Sequence, residues 1–161
     1  MATSRTPSLG LFFGVLTLLA ALGVGAPAFS QQASSERASA RSVGDRDLQW
    51  GPCPAFFPKG CEIAALHGDP ARPNADVFFR VPAHYDLPAH WHSSPERMVL
   101  VTGELHVTYD GQETAILRPG TYAYGPAKAV HRGRCASDVA CVLFIAFEGP
   151  VDATAVAAPA R

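Results

Sequence analysis

The chain has no excess charge of either sign, no long amphipathic helical period, no CxxC pair and no internal repeat, and each absence removes a class of protein. Lys and Arg number 13 against 14 Asp and Glu, for a net charge of −1, so there is no basic face of the kind that nucleic acid requires. Without a sustained i, i+3, i+4 apolar pattern, a helical bundle is excluded. The absence of a CxxC pair counts against a zinc site built from the four cysteines. The one long hydrophobic run lies at the start, from Leu9 to Gly25.

That run is preceded by a single charge, Arg5, and followed by Ala26-Pro27-Ala28, which places small residues at the two positions a signal peptidase reads. Residues 1–28 are therefore expected to be a cleaved secretory signal. An uncleaved anchor is the alternative, because the uncharged stretch 9–28 is long enough to cross a bilayer. No cysteine follows closely enough to suggest a lipid-modified terminus. After cleavage the chain keeps 133 residues, with 12 basic and 14 acidic side chains, enough for one domain with a working core. It is expected in the periplasm or outside the cell, free of membrane and of nucleic acid.

Cys53 and Cys61 are neighbours in sequence, as are Cys135 and Cys141. In an exported chain four thiols read as two disulfides. Three pairings are open. The two local ones are favoured because Ala136-Ser137-Asp138 is a turn-like segment that can bring Cys135 and Cys141 within bonding range.

Residues 29–47 are rich in Ser, Ala, Arg and Gln with almost no large apolar side chain, which predicts a disordered leader. The fold is expected over 48–150. The Ala-rich tail 151–161 is expected to be flexible. Between them the pattern is all short strands, at 62–66, 76–81, 90–92, 96–101, 104–109, 113–117, 121–124, 130–134 and 140–147, separated by Gly, Pro or Asp. Leu105, Val107 and Tyr109 alternate with His106 and Thr108 up to Asp110-Gly111, a tight hairpin signal. Such a series reads as an all-β barrel or sandwich.

The densest chemistry lies at His90-Trp91-His92, with Glu96 and Gly103 following. Side chains alternate across a strand, so two imidazoles spaced by one residue share a face and can converge on one point. The Ser93-Ser94-Pro95 turn can return a Glu96 oxygen to the same point, and His131 can come back on a later strand. Six His in 161 residues give an HxH by chance about 0.2 times, and requiring Glu and Gly at fixed offsets lowers this to roughly 0.001. The cluster is therefore read as a site and not as two surface histidines. Three imidazoles and a carboxylate suit Fe, Mn, Ni, Cu or Zn better than Ca or Mg.

These residues resemble the cupin superfamily, whose small barrels carry two motifs. The first, HxH, three residues, Glu, six residues and Gly, is met by His90, His92, Glu96 and Gly103, with His84 standing where a Gly usually precedes it. The second is met by Pro119-Gly120, Pro126 and His131, with Lys128 at a usual Gly and Cys135 at a usual Asn. The resemblance spans residues 63–147. It implies a double-stranded β-helix, or jelly-roll, barrel with His90, His92, Glu96 and His131 as metal ligands inside, and a homodimer. The His-Trp-His wording is most similar to the branch related to the anti-sigma factor ChrR and to aromatic-ketone-cleaving dioxygenases.

The leading expectation is a metal-dependent, dioxygenase-like oxidoreductase acting on a small organic molecule such as a phenol, diketone or hydroxyketone. Glu96 is its candidate catalytic base. A non-catalytic cupin that binds or senses a metal or small ligand is the alternative, and a relic barrel is the third reading. His67, His84 and His106 are placed outside the site, and Trp91 is expected to point away from it. Phe78, Phe79, Met98, Leu100, Phe144 and Phe147 are candidates for core or pocket lining. Tyr122 and Tyr124 could aim a hydroxyl inward, and the loop 64–74 is expected to shape the pocket.

Overall fold

A computed structural model describes residues 36–156. The expected signal segment 1–28 and its cleavage site lie outside the described residues. Among the described residues there are eleven strands and no helix, and none is a helix able to cross a membrane. In chain order the strands are β1 (Trp50–Pro52), β2 (Glu62–His67), β3 (Ala75–Val81), β4 (Asp86–Trp91), β5 (Glu96–Thr102), β6 (Leu105–Tyr109), β7 (Ala115–Leu117), β8 (Tyr122–Gly125), β9 (His131–Cys135), β10 (Cys141–Phe147) and β11 (Thr154–Ala155). The nine expected strands are all present, within a few residues of their expected ends. β1 and β11 are additional.

The strands form two antiparallel sheets, β1-β2-β3-β10-β5-β8 and β11-β4-β9-β6-β7. The main core lies between them. Alternation supplies it: Val77, Phe79 and Val81 of β3 join Leu143, Ile145 and Phe147 of β10 on the inner face, with Leu87, Leu105 and Val107 from the opposite sheet. Burying about 1.5–3 kcal/mol worth of apolar side chain at each such position is what holds the sheets face to face.

β3 and β10 are also buried on their outer face. Phe78 and Val142 pack there under Leu48, with Val43, Trp50 and Phe144 partly buried beside them. The Arg80 guanidinium lies 3.8 Å from the Trp50 ring centre and is paired with Glu62 at 2.7 Å. Val43 thus packs against the barrel although it falls within the expected disordered leader. A Ser42–Asp45 turn, with the Ser42 hydroxyl donating to Asp45 Oδ1 at 2.6 Å, leads the chain into this contact.

Cys53 is bonded to Cys61 and Cys135 to Cys141, and no free cysteine is left. The Cα atoms are 5.5 and 5.7 Å apart, ordinary for disulfides. The local pairing is the one the chain adopts, and it fits an oxidising compartment. The tail differs from expectation at its start. Thr154 and Ala155 pair with Trp91 and His90, Val151 N–H donates to Pro70 O, and Val156 N–H donates to Ala89 O. Residues 154–156 therefore run along β4 and Val151 is held by Pro70, while 157–161 lie outside the described residues.

Candidate metal centre

The register of the strands aligns the site. Across the five-stranded sheet Tyr109 pairs with His131 and His131 with His90, so one row of side chains enters the barrel from β6, β9 and β4, with the exposed Ala155 of β11 pairing beyond His90 at the edge. Across the other sheet Phe147 pairs with Glu96, and Glu96 with Gly125. His92 follows the end of β4, and the bends at Ser93 and Ser94 turn the chain so that β5 opens on Glu96. The four sequence-predicted ligands are all buried and meet between these two rows.

His90, His92 and His131 can each offer a ring nitrogen within 4.8 Å of the others. Ring centres lie 4.2 Å apart for His90 and His131 and 4.9 Å for His90 and His92. Each ring is oriented by a backbone carbonyl. His90 Nδ1 reaches Pro88 O at 2.7 Å, His131 Nδ1 reaches Ala129 O at 3.1 Å, and His92 Nδ1 bonds Asp152 O. A carbonyl only accepts, so Nδ1 donates in all three rings and Nε2 is the nitrogen left to face the centre. Burial, with His131 nearby, holds the His90 pKa down to about 3, and burial holds that of His131 down to about 4. Both rings are thus neutral at ordinary pH, as a ligand must be.

Glu96 completes the set. Its Oε1 is 3.3 Å from His92 Nε2 and its Oε2 is 3.7 Å from His131 Nε2. Oε2 is buried without a hydrogen-bond partner. Burial pushes the carboxyl pKa up, which means that the ionised form lacks the compensation a buried charge needs. Three imidazole Nε2 atoms beside a buried acid with an unpartnered oxygen fit one divalent transition cation, which would stabilise the ionised carboxylate.

The centre opens into a cavity of about 100 Å³ whose walls are almost all carbon, from Phe57, Phe79, Leu87, Met98, Val107 and Phe147 among others. Phe57 stands edge-on to His90, with ring centres 5.0 Å apart. Val151, Asp152 and Ala153 form part of the wall, so the C-terminal segment both lines the cavity and supplies the carbonyl that orients His92.

Several sequence expectations change here. Tyr122 and Tyr124 are 59% and 53% exposed and do not enter the barrel. No residue of the loop 64–74 lines the pocket, whose wall includes Pro54, Phe57 and residues 151–153, although Pro70 O accepts from Val151 N–H. Of the apolar candidates, Phe79, Met98 and Phe147 line the cavity and Leu100 lies in the core, while Phe78 and Phe144 pack on the outer face. His106 bonds Glu104 at 2.9 Å and His84 pairs with Asp138 at 3.0 Å, both away from the centre. Tyr109 was not singled out, yet its ring stacks on His131 with centres 4.8 Å apart. Its parity with Leu105 and Val107 on one strand face was the available signal.

Comparison with known proteins agrees with this geometry. The family profile for the Cupin domain matches residues 77–147. A candidate acetylacetone dioxygenase from Methylibium petroleiphilum PM1 is similar in structure at 29% identity and TM-score 0.54, covering 78% of this chain and 86% of that one. An acetylacetone dioxygenase from Acinetobacter johnsonii matches at 21% identity and TM-score 0.54, covering 78% and 84%. The DMSP lyase DddQ from Ruegeria pomeroyi DSS-3 matches at 18% identity and TM-score 0.59, covering 71% of this chain. This chain spans 64% of the length of that lyase and 63% of a related DMSP lyase chain. No curated protein matches the chain by sequence.

Proposed function

Because the chain belongs to the cupin superfamily, we propose that His90, His92, His131 and Glu96 hold one divalent transition metal and that the loaded site is an oxygenase-type enzyme for a small, uncharged organic molecule. The observation that carries this is the convergence of three Nε2 lone pairs and a buried carboxylate at the wall of a carbon-lined cavity. When bound, such a metal supplies Lewis acidity and, if redox-active, electrons for dioxygen chemistry.

The chain's own groups set the substrate class. Besides Glu96, the charged residues along the cavity are Arg132 and Asp152. Arg132 is largely exposed and lies 3.7 Å from Asp110. A cationic substrate would therefore leave water for a carbon-lined wall beside a metal cation, at a cost of several kcal/mol, and a charged group on any substrate would find a partner only at the metal itself. A β-diketone, phenol or hydroxyketone asks for little besides apolar contact and one polar attachment. The likeness to a candidate acetylacetone dioxygenase supports the same class. Glu96, beside His92, is placed to take a proton from a substrate enol or phenol when it is not bound to the metal. Export to an oxidising compartment, with residues 1–28 removed, is part of this reading and is supported by the two disulfides.

Dioxygen uptake by iron-loaded protein, measured over a panel of β-diketones, phenols and hydroxyketones, tests the reading. Uptake with at least one neutral member, abolished in His131→Ala, is expected. Tightly held zinc with no uptake on any member would replace the enzyme by a non-catalytic binding cupin.

A further inference from the structure

Two buried side-chain oxygens or nitrogens lack a hydrogen-bond partner among the described residues, and they are Glu96 Oε2 and Tyr109 Oη. Both border the same small niche at Gly125. A β-carbon on Gly125 would stand 2.9 Å from Glu96 Oε2 and would collide with Tyr109 Oη. The φ of Gly125 is not in the left-handed region, so what the position requires is the missing side chain and not backbone freedom. One orphan has a proton to give and the other has lone pairs to accept it. Buried polar atoms in folded proteins are nearly always paired, and bulk water reaches neither of these.

We propose that Tyr109 is a positioning residue of the metal centre, its hydroxyl donating to Glu96 Oε2 directly or through one water, so that Oε1 is the oxygen turned toward the imidazoles. The inference rests on the reading of His90, His92, His131 and Glu96 as a metal site. Stacking on His131, with an interplanar angle of 30°, fixes the Tyr109 ring so that its hydroxyl points along the niche. Glu96 Oε1 already lies closer to His92 Nε2 than Oε2 does to His131 Nε2. A donor on Oε2 would hold that asymmetry and stop the carboxylate from offering both oxygens at once. Gly125 keeps the niche open for it.

Cobalt(II) uptake and the visible absorption of the cobalt-loaded protein provide the test. Tyr109→Phe keeps the ring and removes only the hydroxyl; it is expected to lower cobalt affinity about 10–100-fold and to shift the visible bands. Gly125→Ala should act in the same direction by filling the niche. A high-resolution crystal structure of the wild-type chain, metal-free or loaded, should place Oη and Oε2 in hydrogen-bond contact or on one shared water. Wild-type affinity and spectrum in Tyr109→Phe, with both altered in Glu96→Gln, would overturn the inference. If the wild-type chain takes up no cobalt, the metal reading itself fails, and the crystallographic contact alone then decides whether Tyr109 and Glu96 are partners.

Discussion

Lys128 has a left-handed backbone, φ 62°, and its N–H donates to His92 O at 2.8 Å. A side chain in that region costs about 1–2 kcal/mol relative to glycine's free access. Lys128→Gly is therefore expected to raise stability by up to about 1 kcal/mol once glycine's larger entropy loss is counted, read as a higher urea midpoint. An unchanged or lower midpoint would mean that the Lys128 side chain contributes something its backbone does not explain. His84, at φ 59°, is the same case. Both positions are where the family resemblance expects glycine, so the loop shape has survived the change of residue. Whereas His131 was reached only through the second motif, the other three candidate ligands, His90, His92 and Glu96, were legible in the sequence because alternation and one short turn can bring them to one point. Tyr122 and Tyr124 were not, because a period of two tells which residues share a face but not which face is inside. In β8 the inward parity belongs to Ala123 and Gly125, the latter paired with Glu96.

Among the elements, the C-terminal segment holds more of the site than its composition suggests. Asp152 O accepts from His92 Nδ1, and Asp152 Oδ1 accepts from Ser93 N–H at 2.9 Å. Ending the chain after Gly149 removes both bonds and part of the cavity wall. Metal affinity is expected to fall about 10–100-fold while far-UV circular dichroism stays that of a β-barrel; equal affinity in the truncated chain would show that His92 needs no such support. The loop closed by Cys53–Cys61 carries Phe57 onto His90 in the same way. Replacing both cysteines with serine is expected to cost about 2 kcal/mol on the loop-entropy model, measured by chemical denaturation. Neither segment was readable as part of the site, since proline-rich and alanine-rich stretches show no periodicity. Their role comes from where the barrel ends leave them.

For the molecule as a whole, the site makes metal-free stability depend on pH in a definite direction. His90 and His131 titrate near 3 and 4 when folded, whereas an imidazole in the unfolded chain titrates near its ordinary 6.5. Between these values the unfolded chain binds more protons, so stability is full above about pH 6.5 and is lost as pH falls toward 4. Glu96 works oppositely. Its folded pKa is raised above 4.5, so its contribution is present below 4.5 and is lost as pH rises through the folded value. Urea unfolding of chelator-treated protein should therefore give lower stability at pH 5 than at pH 7, with a steeper fall in Glu96→Gln. The two-sheet barrel itself was legible from the spacing of short strands. Its second apolar layer was not, because the doubly buried β3 and β10 read as continuous apolar runs whose covering segment, Val43 to Trp50, is short and weakly patterned.

The central claim is that four side chains surround one transition metal, and metal content per chain tests it most directly. Elemental analysis of the purified protein, after exposure to iron, manganese, nickel, copper and zinc salts and removal of loose ions, should find close to one equivalent in the wild type and almost none in His131→Ala. Less than about a tenth of an equivalent in the wild type, or undiminished metal in the variant, would contradict the account.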